Sequence, residues 1–174
     1  MSCALTSGFT LPCRDGVGGV KTIYITELAN FASATIASGV VTALTLDTGK
    51  KFWTYELTEE TAEVTEKATV SVENGSVFYE QSATFQLQKQ QASTRNELRL
   101  LAQNNCLLIE LDRNGKYFIY GYENGLKVES IDATTGKAMG DFNGYKLTLK
   151  GKESLPAYEV SSGIIAGLLT ESVS

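Results

Sequence analysis

The sequence predicts a mainly β, single-domain sandwich or barrel with one α-helix, at about residues 94-104, packed against it. Three observations carry that reading. Residues Val77 to Gln88 alternate without a break, with Val77, Tyr79, Gln81, Ala83, Phe85 and Leu87 on one side. Such a period of two over so many residues belongs to a long strand with one apolar and one polar face. Asn-Gly pairs at 74–75, 114–115, 124–125 and 143–144 punctuate apolar runs, as hairpin turns do. Sixteen glycines stand against two prolines, the balance of a β-rich chain with glycine turns.

Taken in order, residues 1–19 mix small and apolar side chains and close on Asp15-Gly16-Val17-Gly18-Gly19, an extended N-terminal arm. The glycines are no dinucleotide fingerprint, because a strand-like segment follows them where that motif needs a helix. The domain itself is read as 20–160. Lys21 to Ile25 and the β-branched run Val40 to Leu46 are strands, the second ending at Asp47-Thr48-Gly49. Trp53, Tyr55 and Leu57 share one side of the next segment, and Val70 and Val72 close another before Asn74-Gly75.

After the long strand, Thr94 and Glu97 have the spacing of a capping box, which predicts a helix start. Leu98, Leu101 and Ala102 supply its apolar stripe, and Asn104-Asn105 are read as the left-handed residues that stop it. Leu107, Ile109 and Leu111 alternate again, and the remainder reads as a meander of hairpins. Residues 161–174, with the apolar stretch Gly163 to Leu169, are a last strand or a tail.

The charge balance and the rarer residues exclude several function classes. Fifteen basic and twenty acidic residues leave a net charge of −5, the wrong sign for a protein that grips nucleic acid. Without a single histidine, histidine-based zinc sites, Ser-His-Asp triads and Cys-His dyads are excluded. Cys3, Cys13 and Cys106 match neither a CxxC metal motif nor a disulfide framework, although a Cys3–Cys13 bridge is conceivable. Asp112-Arg113-Asn114-Gly115 and Asp141-Phe142-Asn143-Gly144 begin like calcium loops but lack the later glutamate, so they read as Asx turns. No nucleophile is paired with a base. The expectation is a chain that is not an enzyme and carries no cofactor and no metal. No secretory signal and no membrane span of about 18 apolar residues is read from it.

The order of features then adds a resemblance. A long alternating strand leads into a helix, a core strand and an Asn-Gly hairpin. Next comes Thr135-Gly136, and then Asp141-Phe142-Asn143-Gly144-Tyr145-Lys146-Leu147-Thr148-Leu149 with Gly151 and Glu153 beyond. Over about residues 70–160 this resembles the tail tube proteins of tailed bacteriophages, a family related in fold to the inner tubes of contractile injection machines.

The resemblance implies a virion structural protein, assembled in the host cytoplasm, whose protomers close into rings, usually hexamers. Rings stack into a tube through which DNA passes without being specifically bound. It implies other tail proteins, and in contractile systems a sheath, as partners, and no membrane. On the same resemblance the polar side of the long strand, Glu80, Ser82, Thr84, Gln86 and Gln88, lines the lumen. The segment from Asp47 to Glu66 is then the candidate contact between rings or subunits, through Phe52, Trp53, Tyr55, Glu59 and Glu60. Two alternatives stay open. One is another phage ring protein, a tail terminator or head–tail connector. The other is a monomeric β-barrel that binds an apolar ligand or a carbohydrate through Trp53, Tyr55, Tyr117 and Tyr120.

Overall fold

A computed structural model describes residues 3–169, and it is the predicted mainly β fold with two sheets and one long helix. The strands are β1 (Val20–Glu27), β2 (Phe31–Ala37), β3 (Val40–Leu46), β4 (Trp53–Glu56), β5 (Glu63–Ser71) and β6 (Ser76–Gln88). After helix α1 (Ala92–Gln103) come β7 (Cys106–Asp112), β8 (Tyr117–Tyr120), β9 (Lys127–Thr134), β10 (Gly144–Glu153) and β11 (Tyr158–Val160), then a single turn, α2 (Ser162–Ile165). One sheet has the order β2-β3-β11-β8-β7-β1-β4 and the other β5-β6-β10-β9. Among the described strands, β11 and β3 are the one pair that runs parallel.

Between the sheets lies the main core. Period two sends Ala83 and Phe85 of β6 inward, with Tyr145, Leu147 and Leu149 of β10 beside them. They meet Ile23 and Ile25 of β1, Cys106 and Leu108 of β7, and Leu98 of α1. Burying each large apolar side chain stabilises the fold by about 1.5–3 kcal/mol.

A second core covers the opposite face of the larger sheet. Tyr24, Leu107, Ile109 and Ile119 point there, under Val41, Leu44 and Leu46 of β3, Phe52, and Ile165 and Leu168 near the C-terminal end. With both faces covered, β7 reads Cys-Leu-Leu-Ile without alternation, as doubly buried strands do.

Several local expectations are corrected. Helix α1 begins at Ala92, so Thr94 lies inside its first turn and makes no N-cap; the capping residue is Gln91, without a side-chain bond. The chain turns early because Lys89 adopts a left-handed conformation (φ 62°) directly after β6. At the other end Asn104 is extended, and its N–H returns to the Leu101 carbonyl. Asn114-Gly115 does form the β7–β8 hairpin, with Gly115 at φ 82°. Asn124-Gly125 instead carries the chain from one sheet to the other, so the second half is not a simple meander. At Asn143-Gly144 there is no turn: Gly144 is already the first residue of β10. Residues Ser162–Ile165 form a helical turn and no strand, and the 161–174 segment is otherwise known only to residue 169, where Leu169 bridges to Phe52. Cys106 is buried, while Cys3 and Cys13 are exposed and unbridged.

Candidate assembly surfaces

The polar side of β6 forms part of the outer face of the four-stranded sheet. Glu80, Ser82, Thr84, Gln86 and Gln88 share that side, opposite the buried Ala83 and Phe85. The strand's own face carries no cation, as its sequence reads. Register changes the surroundings. Strand β10 sets Lys146 beside Gln86, Lys150 beside Ser82 and Lys152 beside Glu80, and β5 sets Lys67 on the other flank of Glu80. Cross-strand carboxylates answer two of these lysines: Lys150 Nζ lies 3.0 Å from Glu129 and Lys152 Nζ 3.7 Å from Glu80. Lys152 also sits over the Phe78 ring, 5.3 Å from its centroid. The face is thus a charge-balanced, hydrogen-bonding surface, crossed by a shallow groove of about 670 Å³.

The 47–66 segment holds strand β4 and the start of β5, joined by the connections 47–52 and 57–62. Strand β4 forms one edge of the larger sheet, and the loop 57–62 crosses to the other sheet. Phe52 is fully buried in the second core, where its N–H donates to the Leu168 carbonyl; it is removed from any contact surface. Trp53 is 64% exposed, on the sandwich side of β4 but at its open margin. Tyr55 turns inward against Phe85, edge to face at 6.0 Å, and burial pushes its hydroxyl up to about 12. Glu59 and Glu60 are exposed in the loop, with Glu59 3.9 Å from Arg113. Beside them opens a groove of about 810 Å³ between β4, the end of β6 and the first turn of α1.

The four aromatic residues of the ligand-binding alternative are not brought together. Tyr55 and Tyr120 belong to the main core, whereas Tyr117 packs into the second core on the opposite face of the sheet.

Two exposed apolar features escaped the sequence reading. Strand β10 pairs with β6 only from Tyr79 onward, so the β5–β6 hairpin projects past the sheet with Val70, Val72 and Val77 exposed. In the arm, Leu5, Phe9 and Leu11 are 98%, 87% and 81% exposed. Only the Val70–Val77 alternation could have hinted at a tip, and there it mimics a core strand.

Buried polar groups, one of them linked to the sandwich margin, were also missed. Gln81 Nε2 donates to Glu66, its Oε1 accepts the Gly121 N–H, and Glu66 accepts the Ala157 N–H as well. Glu110, buried on β7, accepts the Tyr120 hydroxyl at 3.1 Å, and its other oxygen has no partner. Of the two calcium-like motifs, Asp112 makes the expected Asx turn, accepting the N–H groups of Asn114 and Lys116, whereas Asp141 reaches back to those of Lys137 and Ala138 and closes the preceding loop instead. Among the described residues, no group of three or more His, Cys, Asp or Glu could hold a metal ion, and no helix is long and apolar enough to cross a membrane.

The fold and its surfaces define a two-sheet β-sandwich with open strand edges, a projecting hairpin and an apolar arm. No protein-family model, curated protein or solved structure matches the chain.

Proposed function

We propose that this protein is a tail tube subunit, a virion structural protein whose protomers form rings, usually hexameric, stacked into a conduit for DNA. One observation carries the reading: apolar side chains are left exposed on the arm and hairpin tip of a sandwich whose sheets end in open strands. Open edges and apolar projections are liabilities in a monomer and become joints in an assembly. A head-to-tail interface closes into a ring about one axis and extends as a filament along it. The resemblance over residues 70–160 supplies the family. Other tail proteins, and a sheath where one is present, are the partners of such a tube.

The lumen surface under this reading is the outer face of the four-stranded sheet, through Glu80, Ser82, Thr84, Gln86 and Gln88. Two of its lysines, Lys150 and Lys152, pair with Glu129 and Glu80, and the carboxylates of Glu63 and Asp132 share the face with Lys67, Lys127 and Lys146. Phosphate binding requires free cations that release counterions, and matched pairs offer few. The double substitution Glu80→Gln, Glu129→Gln is therefore expected to convert a non-retained protein into one that binds duplex DNA. Its log-affinity against log-salt slope is expected near −2, about −0.9 for each of the two freed lysines. Tight, salt-sensitive DNA binding by the unaltered chain would contradict a conduit role.

Sedimentation velocity over a concentration series tests assembly. Open-ended growth is expected. A single closed ring at every concentration favours a terminator or connector, and a persistent monomer favours a binding module.

A further inference from the structure

We infer that the N-terminal arm is an exchange segment: residues 5–13 of one copy add as an extended strand to the groove beside Trp53 of a second copy. The inference deepens the self-assembly reading above and rests on it.

The arm has the pattern of a strand without a sheet. Leu5, Phe9, Leu11 and Cys13 fall on one side, with Thr6, Thr10 and Pro12 on the other. A soluble surface rarely leaves Leu5, Phe9 and Leu11 almost wholly in water unless a partner covers them. The groove offers what such a strand needs. Strand β4 has β1 on one flank only, and the pairing of β5 with β6 stops at Thr84, which leaves residues 85–88 of β6 unflanked on that side. Trp53 and Leu87 provide apolar contacts along it. Strand addition at an open edge takes affinity from the backbone and specificity from alternate side chains, here Phe9 and Leu11.

Charge agrees. Between residues 3 and 14 the only charged side chain is Arg14, whereas the charged side chains lining the groove are the carboxylates of Glu56 and Glu97. In this structure the arm leaves its own chain's groove open, since Leu5, Phe9, Leu11 and Trp53 all stay exposed, and this selects a second copy as the occupant. Val17 is held to Asn114 by two hydrogen bonds of 2.9 Å, and Gly19 O accepts the Arg113 N–H. Those partners sit in the β7–β8 turn. From there residues 3–16 can span about 45 Å.

Trp53 is the sole tryptophan, so its emission reports the groove directly. In the full chain, raising the concentration is expected to shift Trp53 emission to shorter wavelength. The variant Phe9→Ser, Leu11→Ser, altered at two exposed positions, is expected to need a concentration at least about tenfold higher for the same shift. A shift independent of concentration means that the arm fills its own groove, and an equal shift in the variant means that another surface covers Trp53. Either overturns the inference. Microscopy of the same samples separates the two readings: tubes with unchanged emission leave the tube standing and remove the arm exchange. An arm-dependent shift with only closed dimers does the reverse.

Discussion

Glu110→Gln is expected to remove a loss of stability that the unaltered chain suffers as pH rises from 4.5 to 7. Glu110 lies inside the sandwich, with one oxygen bonded to Tyr120 and the other without a partner. Burial is the main cause that pushes its carboxyl from 4.5 up to about 7, the Tyr120 hydrogen bond opposing the shift and the Asp112 charge adding to it. Glu63 and Asp112 line the same small cavity, and neither supplies a cation.

The sign follows from which state holds the proton. Below pH 4.5 both states are protonated and nothing is lost. Between 4.5 and 7 the unfolded chain ionises first, so the folded state weakens. Above 7 the full cost of an ionised, buried carboxylate stands, about 3 kcal/mol for a shift of this size. Glutamine keeps the carbonyl that accepts the Tyr120 hydroxyl and cannot ionise. Urea unfolding of dispersed protomers at pH 4 and pH 8 reads the effect: E110Q should gain on the unaltered chain only at pH 8. Parallel stabilities at both values would show that Glu110 reaches water in the folded state.

Gly144→Ala should be the most damaging single methyl in the chain. A Cβ there would overlap the Leu87 carbonyl oxygen and meet Phe142 Cζ at 2.9 Å. The first is backbone, held in the β6–β10 ladder by the pairs Gly144↔Gln88 and Tyr145↔Leu87, and cannot swing aside. Overpacking of this kind costs roughly 3 kcal/mol, and here it falls where the β6–β10 pairing that backs the main core begins. Gly140→Ala, four residues earlier with open space around it, is the matched control and should be near neutral. Thermal unfolding of the two variants makes the comparison. Equal midpoints would mean that the start of β10 is not packed as described.

Those two positions also show what the sequence could and could not reveal. Alternation in β6 and β10 was legible because period two survives wherever one face is wet and the other dry. Asn114-Gly115 was legible because that turn requires a positive φ, which glycine supplies. Asn143-Gly144 has the same letters for another reason: its glycine permits a close approach of two backbones, a tertiary fact that no local pattern encodes. The doubly buried β7 could be recognised as core, but not which second layer covers it. Phe52 and Trp53 are neighbours in sequence and opposite in fate: one step turns the side chain from the second core to the sandwich side, where the open margin beside edge strand β4 leaves Trp53 exposed. Thr94 lost its capping role because Lys89 turned the chain earlier than its composition advertised.

The surfaces divide in the same way. The polar side of β6 was readable from one strand, while its lysine neighbours came from β5 and β10, brought alongside by pairing distant in sequence. The arm was recognisable as an arm. Its apolar side has meaning only beside an open groove some forty residues further along the chain, near Trp53.

Negative-stain microscopy of the purified chain at rising concentration tests the self-assembling conduit most directly. The account predicts tubes of uniform diameter, built of stacked rings with a stain-filled central channel. Dispersed single protomers at the highest concentration would contradict it.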